Sequence, residues 1–426
     1  MQQIVLHKKV KLPVLHMRFD YEGRLTYRTA ETGRALSMNL DNIIDRRNTD
    51  CLKFDAAVRR GYPEDILPLW VADMDFPVAQ PVIEAIQKRT AHGIFGYSEP
   101  DPVRFYHVLE QWFREQHHWQ IQQDWLLQTP GVVFALAMAV KAFTDPGDAV
   151  LIQQPVYYPF SEVILDNGRR RVSSDLVLKD GHYEIDFTDF EQKIIANQVK
   201  LFLMCSPHNP AGRVWTREEL ETVAGICHKH NVIVVADEIH EDFVWTERPH
   251  IPYATLGETF AQQTVICTAP SKTFNLAGLQ VSNIFIPNYE LRRKVRHEIN
   301  AAGYSQLNTL GLVACEAAYQ YGHPWLKEVK QYLRENINFT RAFLQQHIPQ
   351  ISLIEPEGTY LLWLDCRGLE LTNTDLEELI VNKAGLWLDS GAIFGAAGKG
   401  FQRVNAACPR SVLREALERI QKAIYC

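Results

Sequence analysis

Apolar and polar positions along the chain follow two periods, and the switches between them mark its elements. From about Pro81 onward, stretches with helical apolar spacing alternate with short runs that are almost wholly apolar. Pro81-Val82-Ile83-Glu84-Ala85-Ile86 opens a helix with proline in its first turn, where the missing N–H costs little. Gly131 to Phe143 predicts an apolar helix, and Thr216–His230 an amphipathic one leading straight into Val232–Ala236. Strands are predicted at Ala149–Gln153, Lys200–Cys205, Val232–Ala236, Val265–Thr268 and Ser282–Ile286. Strands apolar on both faces and separated by helices predict an α/β fold with a mainly parallel sheet covered on both sides.

Beyond about His323 the pattern changes. A long helix runs to His347, strands follow near Ile351–Ile354 and Tyr360–Asp365, then a helix at Thr374–Ala384 and a last one from Pro409. These predict a smaller α+β domain. The chain thus divides into residues 1–37, an extension, 38–80, an arm contributing to the small domain, 81–322, the large domain, and 323–426, the small one. The extension is polar, broken by Pro13 and Gly33 and weakly periodic, which fits a flexible arm, an upstream start or a cloning remnant.

Charge and composition narrow the function. A net charge of −7 gives no electrostatic reason for nucleic-acid binding, and no apolar stretch is long enough to span a bilayer. The short basic runs at Gly168–Arg171 and Leu291–Lys294 read as solvated faces. The eight cysteines form no C-x-x-C pair, so neither zinc nor a disulfide framework is signalled. Cys205 and Cys267 read as small buried hydrophobes. The N-terminus lacks a secretory pattern, and the default location is cytoplasmic.

One ammonium stands out. Between Glu258 and Glu290, Lys272 is the sole charged side chain, set between two strand-like apolar segments. Ligands of open α/β sheets sit beyond the carboxyl ends of the strands, and several polar residues fall there. Asp237 follows the Val232 strand, Asn209 the Lys200 strand, Lys272 the Val265 strand and Tyr157 the Ala149 strand. Taken singly, Asp237 also reads as a helix cap, Asn209 as a turn and Tyr157 as a packing aromatic.

The segments "SPHNPAGRVW", "VVADEIH", "SKTFNLAGLQ" and "RVNAACPR" resemble the pyridoxal-phosphate enzymes of aminotransferase class I/II. Within that superfamily, "IIDRRNTDCLKFD", "LPLWVADMDFPV" and "FGYSEP" resemble the cystathionine β-lyase, or C–S lyase, branch. The resemblance runs from about Leu40 to the C-terminus. It implies fold type I: a large domain with a seven-stranded, mainly parallel sheet between helices, plus a smaller α+β domain.

The same resemblance implies roles. Lys272 would carry pyridoxal phosphate and later remove the substrate Cα proton. Asp237 would keep the ring nitrogen protonated, Asn209 would bond the phenolic oxygen, and Tyr157 would stack on the ring. The amides of Gly131, Val132 and Val133 and the hydroxyl of Ser271 would hold the phosphate, with Thr268 as a second hydroxyl. Tyr97 would reach the phosphate of the neighbouring subunit, which requires a homodimer with shared active sites. Arg403 would bind the substrate carboxylate, helped by backbone N–H groups near Ala72, while Trp70 would line the pocket and Arg410 would be structural. For Tyr360 two readings stand, a site residue or an exposed strand aromatic. For His240 they are contact with the cofactor or structural packing.

Two departures matter. Gln280 stands where many class I aminotransferases place an arginine on the phosphate, and His240 where many relatives have tyrosine. Both fit the lyase branch better. The leading expectation is therefore β-elimination from cystathionine or a related cysteine S-conjugate, a small sulfur amino acid. The alternatives are an aminotransferase and, against the short N-terminal extension and the negative charge, a regulator built on the same domain.

Overall fold

A computed structural model describes residues 39–425 and, before them, the backbone of three strands, Leu15–Phe19, Leu25–Thr29 and Ala35–Leu36. Those strands pair antiparallel in sequence order, where the sequence showed only weak periodicity. The remainder of the 1–37 extension lies outside the described residues. The chain separates into two compact units, one ending at Asn42 and one from Ile43 onward.

The second unit is built on a seven-stranded sheet. Its strands, in chain order, are β1 (Leu126–Thr129), β2 (Ala149–Ile152), β3 (Arg170–Ser173), β4 (Leu201–Cys205), β5 (Ile233–Asp237), β6 (Thr264–Thr268) and β7 (Ser282–Phe285). They lie in the order β1-β7-β6-β5-β4-β2-β3. All neighbours are parallel except β7, which runs antiparallel to both β6 and β1. Every residue of β2, β4 and β6 is buried, as expected of strands covered on both faces. The carboxyl ends of β4, β5 and β6 therefore open on one rim: Asp237 is the last residue of β5, and the segments that leave β4 and β6 carry Asn209 and Lys272.

The helices explain how the sheet is clothed. Val132–Phe143 is mostly apolar and joins Val150, Leu203 and Val265 in one core cluster. Arg217–Lys229 begins at a reciprocal capping box between Thr216 and Glu219, which satisfies two first-turn N–H groups and fixes where the helix starts. In β3 the side chains of Arg170 and Arg171 are exposed, as a solvated face requires, while their backbone closes the sheet edge.

A second sheet holds β8 (Ser352–Leu353), β9 (Leu361–Asp365), β10 (Asp389–Ser390) and β11 (Phe401–Asn405) in the antiparallel order β8-β9-β11-β10. The His323–His347 and Arg410–Tyr425 helices pack with it around Leu362, Leu364, Val404, Leu413 and Leu417. The helix expected at Thr374–Ala384 begins at Asn373 and widens into a π-helical turn over Glu378–Lys383. Among the described residues no helix is long and apolar enough to cross a membrane.

Candidate active site

At the rim of the large sheet, one cavity is lined by Gly131, Val132, Val133, Tyr157, Asn209, Asp237, His240, Ser271 and Lys272, together with Ala72 and Gln280. Lys272 sits in a short helical turn, Pro270–Thr273, directly after β6. Its Nζ donates to the Ala72 carbonyl at 2.7 Å, and the Tyr360 hydroxyl donates to the same oxygen at 3.2 Å.

That carbonyl is held in place by a network the sequence did not reveal. Asn275, three residues after the lysine, accepts from the Met74 N–H at 3.0 Å and donates to the Met74 and Phe76 carbonyls at 2.9 and 3.0 Å. Fully buried Lys53 pairs with Asp75 at 2.7 Å, and Arg46 bridges Asp73 at 2.6 Å and Asp75 at 2.7 Å. Each buried charge is thus matched by an opposite one, as burial requires. The acids of "WVADMDF" and the basic residues before them were visible as residue types; their pairing depends on tertiary contact.

The electrostatics follow from burial. Desolvation lowers the Lys272 ammonium to a pKa of about 8; the Arg403 cation pushes the same way, while the Asp73 and Asp237 carboxylates oppose it. Burial raises Asp237 to about 7, against a hydrogen bond from the Ile239 N–H (3.1 Å) and the attraction of Lys272. His240 is driven well below its ordinary range by burial and by the cations of Lys272 and Arg403, so its ring is neutral. Tyr157 and Tyr360 are pushed upward by burial and stay protonated phenols.

Arg403 lies on β11 opposite Asp389 of β10, and its Nη2 bonds the Asp389 carboxylate and, at 2.7 Å, the Trp70 carbonyl. Its Nη1 donates to Asn209 Oδ1 at 3.0 Å, which joins the two sheets across the site. Asn209 is fixed in turn: its N–H donates to Cys205 Sγ and its carbonyl accepts from the Tyr157 N–H at 3.0 Å. Cys205 and Cys267 are buried, as expected.

The expected residues do not all take their expected places. Tyr360 is fully buried and packs edge-on against Phe243, which removes the exposed-aromatic reading. The Thr268 hydroxyl is engaged inside the sheet by the Asn283 carbonyl at 2.9 Å, so it is not directed to a phosphate. Trp70 stacks on Trp387 at 4.3 Å and lines a neighbouring recess with Arg60, Tyr62 and Tyr158 rather than the Lys272 cavity. At Ala72 it is the carbonyl oxygen that the side chains of the site engage. Tyr97 is 95% exposed and lies outside its own chain's cavity. Arg410 bonds Asn336 and lies over Tyr332 and Phe339, a structural setting.

These groups fit pyridoxal phosphate. Gly131 is extended before a twelve-residue helix whose first-turn amides have no intrahelical acceptors and whose first residues line the cavity together with Ser271, a setting suited to an anion. A buried carboxyl with one hydrogen bond, Asp237, suits a cationic ring N–H. A lysine poised near neutrality suits attack on an aldehyde.

The aminotransferase class I and II family model matches residues 64–420. The cystathionine β-lyase PatB of Bacillus subtilis is 41% identical over 91% of this chain and 100% of its own length. The crystal structure of cystalysin from Treponema denticola, which contains pyridoxal 5'-phosphate, matches with a TM-score of 0.88 at 37% identity, covering 91% of this chain and 99% of that one. The pyridoxal-phosphate-bound C–S lyase of Staphylococcus hominis matches with a TM-score of 0.86 at 32% identity, covering 92% and 99%. The chain belongs to the aminotransferase class I and II family, on its C–S lyase branch.

Proposed function

We propose that the protein is a pyridoxal-phosphate-dependent C–S β-lyase that cleaves cystathionine or a related cysteine S-conjugate to a thiol, pyruvate and ammonia. The observation that carries the chemistry is Lys272, an amine held near neutrality between Asp237 and the Ala72 carbonyl in one cavity. Full-length likeness to a cystathionine β-lyase favours elimination over amino transfer. Bound at this site, pyridoxal phosphate supplies an electron sink for negative charge at the substrate Cα.

The residues then have distinct tasks. Asp237 would hold positive charge on the ring nitrogen, Asn209 would bond the phenolic oxygen, and Tyr157 would cover one face. The amides of Gly131, Val132 and Val133 and the Ser271 hydroxyl would hold the phosphate. Arg403 binds the α-carboxylate in a forked geometry. Lys272 takes the Cα proton, and the Cβ–S electron pair leaves with sulfur as thiolate. The aminoacrylate released hydrolyses to pyruvate and ammonia. Neutral His240 packs beside Tyr360 and keeps a further cation away from Lys272.

Residues 81–322 and 323–426 serve as the large and small domains, with 38–80 as the arm that supplies Ala72. The enzyme acts in the cytoplasm as a homodimer, where exposed Tyr97 and its neighbours Ile94 and Phe95 pack against the second subunit and complete its site. Incubation with cystathionine alone decides the reaction. Equal amounts of thiol and pyruvate without any oxo acid are expected; a strict requirement for an oxo-acid acceptor would establish a transaminase.

A further inference from the structure

The segment that follows β5 serves two compartments. Asp237 and His240 line the cavity described above, whereas Glu241 and Asp242 line a separate recess with His117 and His250. His117 ends the Pro102–His117 helix, and His250 lies in the loop leading toward Tyr253. His117, Glu238, Glu241, Asp242 and His250 are each at least nine-tenths buried.

Their ligand atoms converge. His117 Nε2 is 2.9 Å from Asp242 Oδ1 and 3.9 Å from Glu241 Oε2. Glu238 Oε2 is 3.1 Å from His250 Nε2. One ligand atom from each of His117, Glu241 and Asp242 lies within 4.8 Å of the others, and the same holds for Glu238, Glu241 and His250. Glu241 therefore joins both groups. Two ligands bound about 2.0–2.2 Å from one tetrahedral ion are about 3.4 Å apart, in the middle of the spacings present here.

The cluster is more than a collection of acids. Glu238 Oε2, Glu241 Oε2 and His250 Nε2 are buried atoms with no hydrogen-bond partner. The neighbouring oxygens, in contrast, are satisfied: Glu238 Oε1 by the Tyr253 N–H at 2.8 Å, and Asp242 Oδ2 by the Thr273 hydroxyl at 2.6 Å. Lys330 bonds the Asp242 carbonyl and brings one positive charge against three carboxyl groups, while Lys327 lies on the exposed outer wall. Two imidazoles with carboxyl groups crowded into one buried site, and a single lysine cation beside them, describe a site for a divalent transition ion.

We propose that Glu238, Glu241 and His250 bind one divalent transition-metal ion, zinc foremost, with the His117–Asp242 pair adjoining it through Glu241. The ion ties the loop that carries His240 and follows Asp237 to the loop that carries His250. It takes no part in the elimination itself. The alternative for the same atoms is two separate histidine–carboxylate pairs flanking a protonated Glu241.

The test uses untagged, cofactor-loaded protein stripped with a chelator and dialysed. Zinc chloride is titrated calorimetrically, and cobalt(II) is followed by its visible absorption. One ion per chain is expected, with the cofactor spectrum unchanged. Glu241→Gln keeps the side-chain volume and should weaken zinc binding at least about tenfold, since even loss of an indirect partner of a metal site commonly costs about 10–100-fold. His250→Gln should do the same. Circular dichroism and the cofactor absorbance establish that each variant is folded, and a folded variant of either kind decides the matter. Absence of stoichiometric zinc binding by the wild-type protein, or binding unchanged in a folded variant, would overturn the proposal.

Discussion

The acidity of Lys272 offers the sharpest test of the site's electrostatics. With a pKa of about 8 instead of 10.5, about 9% of the amine is neutral at pH 7 rather than about 0.03%, a gain of about 300-fold in nucleophile. The gain is measurable in cofactor-free protein by trace labelling with an amine-reactive dinitrophenyl reagent across pH 6 to 11. Exposed Lys179 and Lys229 in the same sample serve as references, and peptides are quantified by mass spectrometry. Lys272 should label with a midpoint near 8. Two substitutions then move that midpoint in opposite directions. Asp237→Asn removes a carboxylate that favours the ammonium, so the midpoint falls. Arg403→Gln removes a cation that disfavours it, so the midpoint rises. A wild-type midpoint coinciding with those of Lys179 and Lys229, or shifts of the reverse sign, would refute the account of burial acting with Asp237 and Arg403.

Other outcomes follow from the same geometry. Because the folded pKa of Asp237 lies above its unfolded value, ionising it destabilises the cofactor-free fold, increasingly from about pH 4 to about 7. Asp237→Asn should therefore raise the melting temperature of cofactor-free protein at pH 8 and leave it nearly unchanged at pH 4, while turnover with cofactor collapses; calorimetry and pyruvate release read the two effects. Arg403→Lys loses the forked hydrogen bonds and should lower kcat/KM for cystathionine by about 10–100-fold, chiefly through KM. Tyr97→Ala and Lys272→Ala should each be nearly inactive, yet an equal mixture refolded together should recover up to about a quarter of wild-type activity, because half the dimers then hold one intact site. No recovery would remove the shared site.

Much of this was legible because buried parallel strands leave uninterrupted apolar runs, and the residue after each run is delivered to the rim. Val232–Ala236 placed Asp237 correctly, and the apolar flanks of Lys272 anticipated its depressed pKa. Edge strands gave no such signal: Leu126–Thr129 alternates in burial, and Arg170–Ser173 reads as a basic run. Pairings set by register or by distant packing were equally silent. Asp389 meets Arg403 because two short strands lie in one register, and Trp70 is drawn aside by stacking on Trp387. His117 and His250 gain meaning only when a helix end and a loop converge on Glu241.

The 3.0 Å bond between Asn209 and Arg403 has a thermodynamic consequence. One partner belongs to the loop proposed here to hold the ring, the other to the strand proposed to hold the carboxylate, and on that proposal neither can be drawn toward its ligand without altering what its partner can offer. The affinities for cofactor and for substrate-like carboxylates are then linked, and linkage is reciprocal: whatever factor one ligand imposes on the other is returned unchanged. A simple amino-acid carboxylate should therefore alter the dissociation constant of pyridoxal phosphate by the same ratio by which pyridoxal phosphate alters its own, and replacing Asn209 with alanine should bring that ratio toward one.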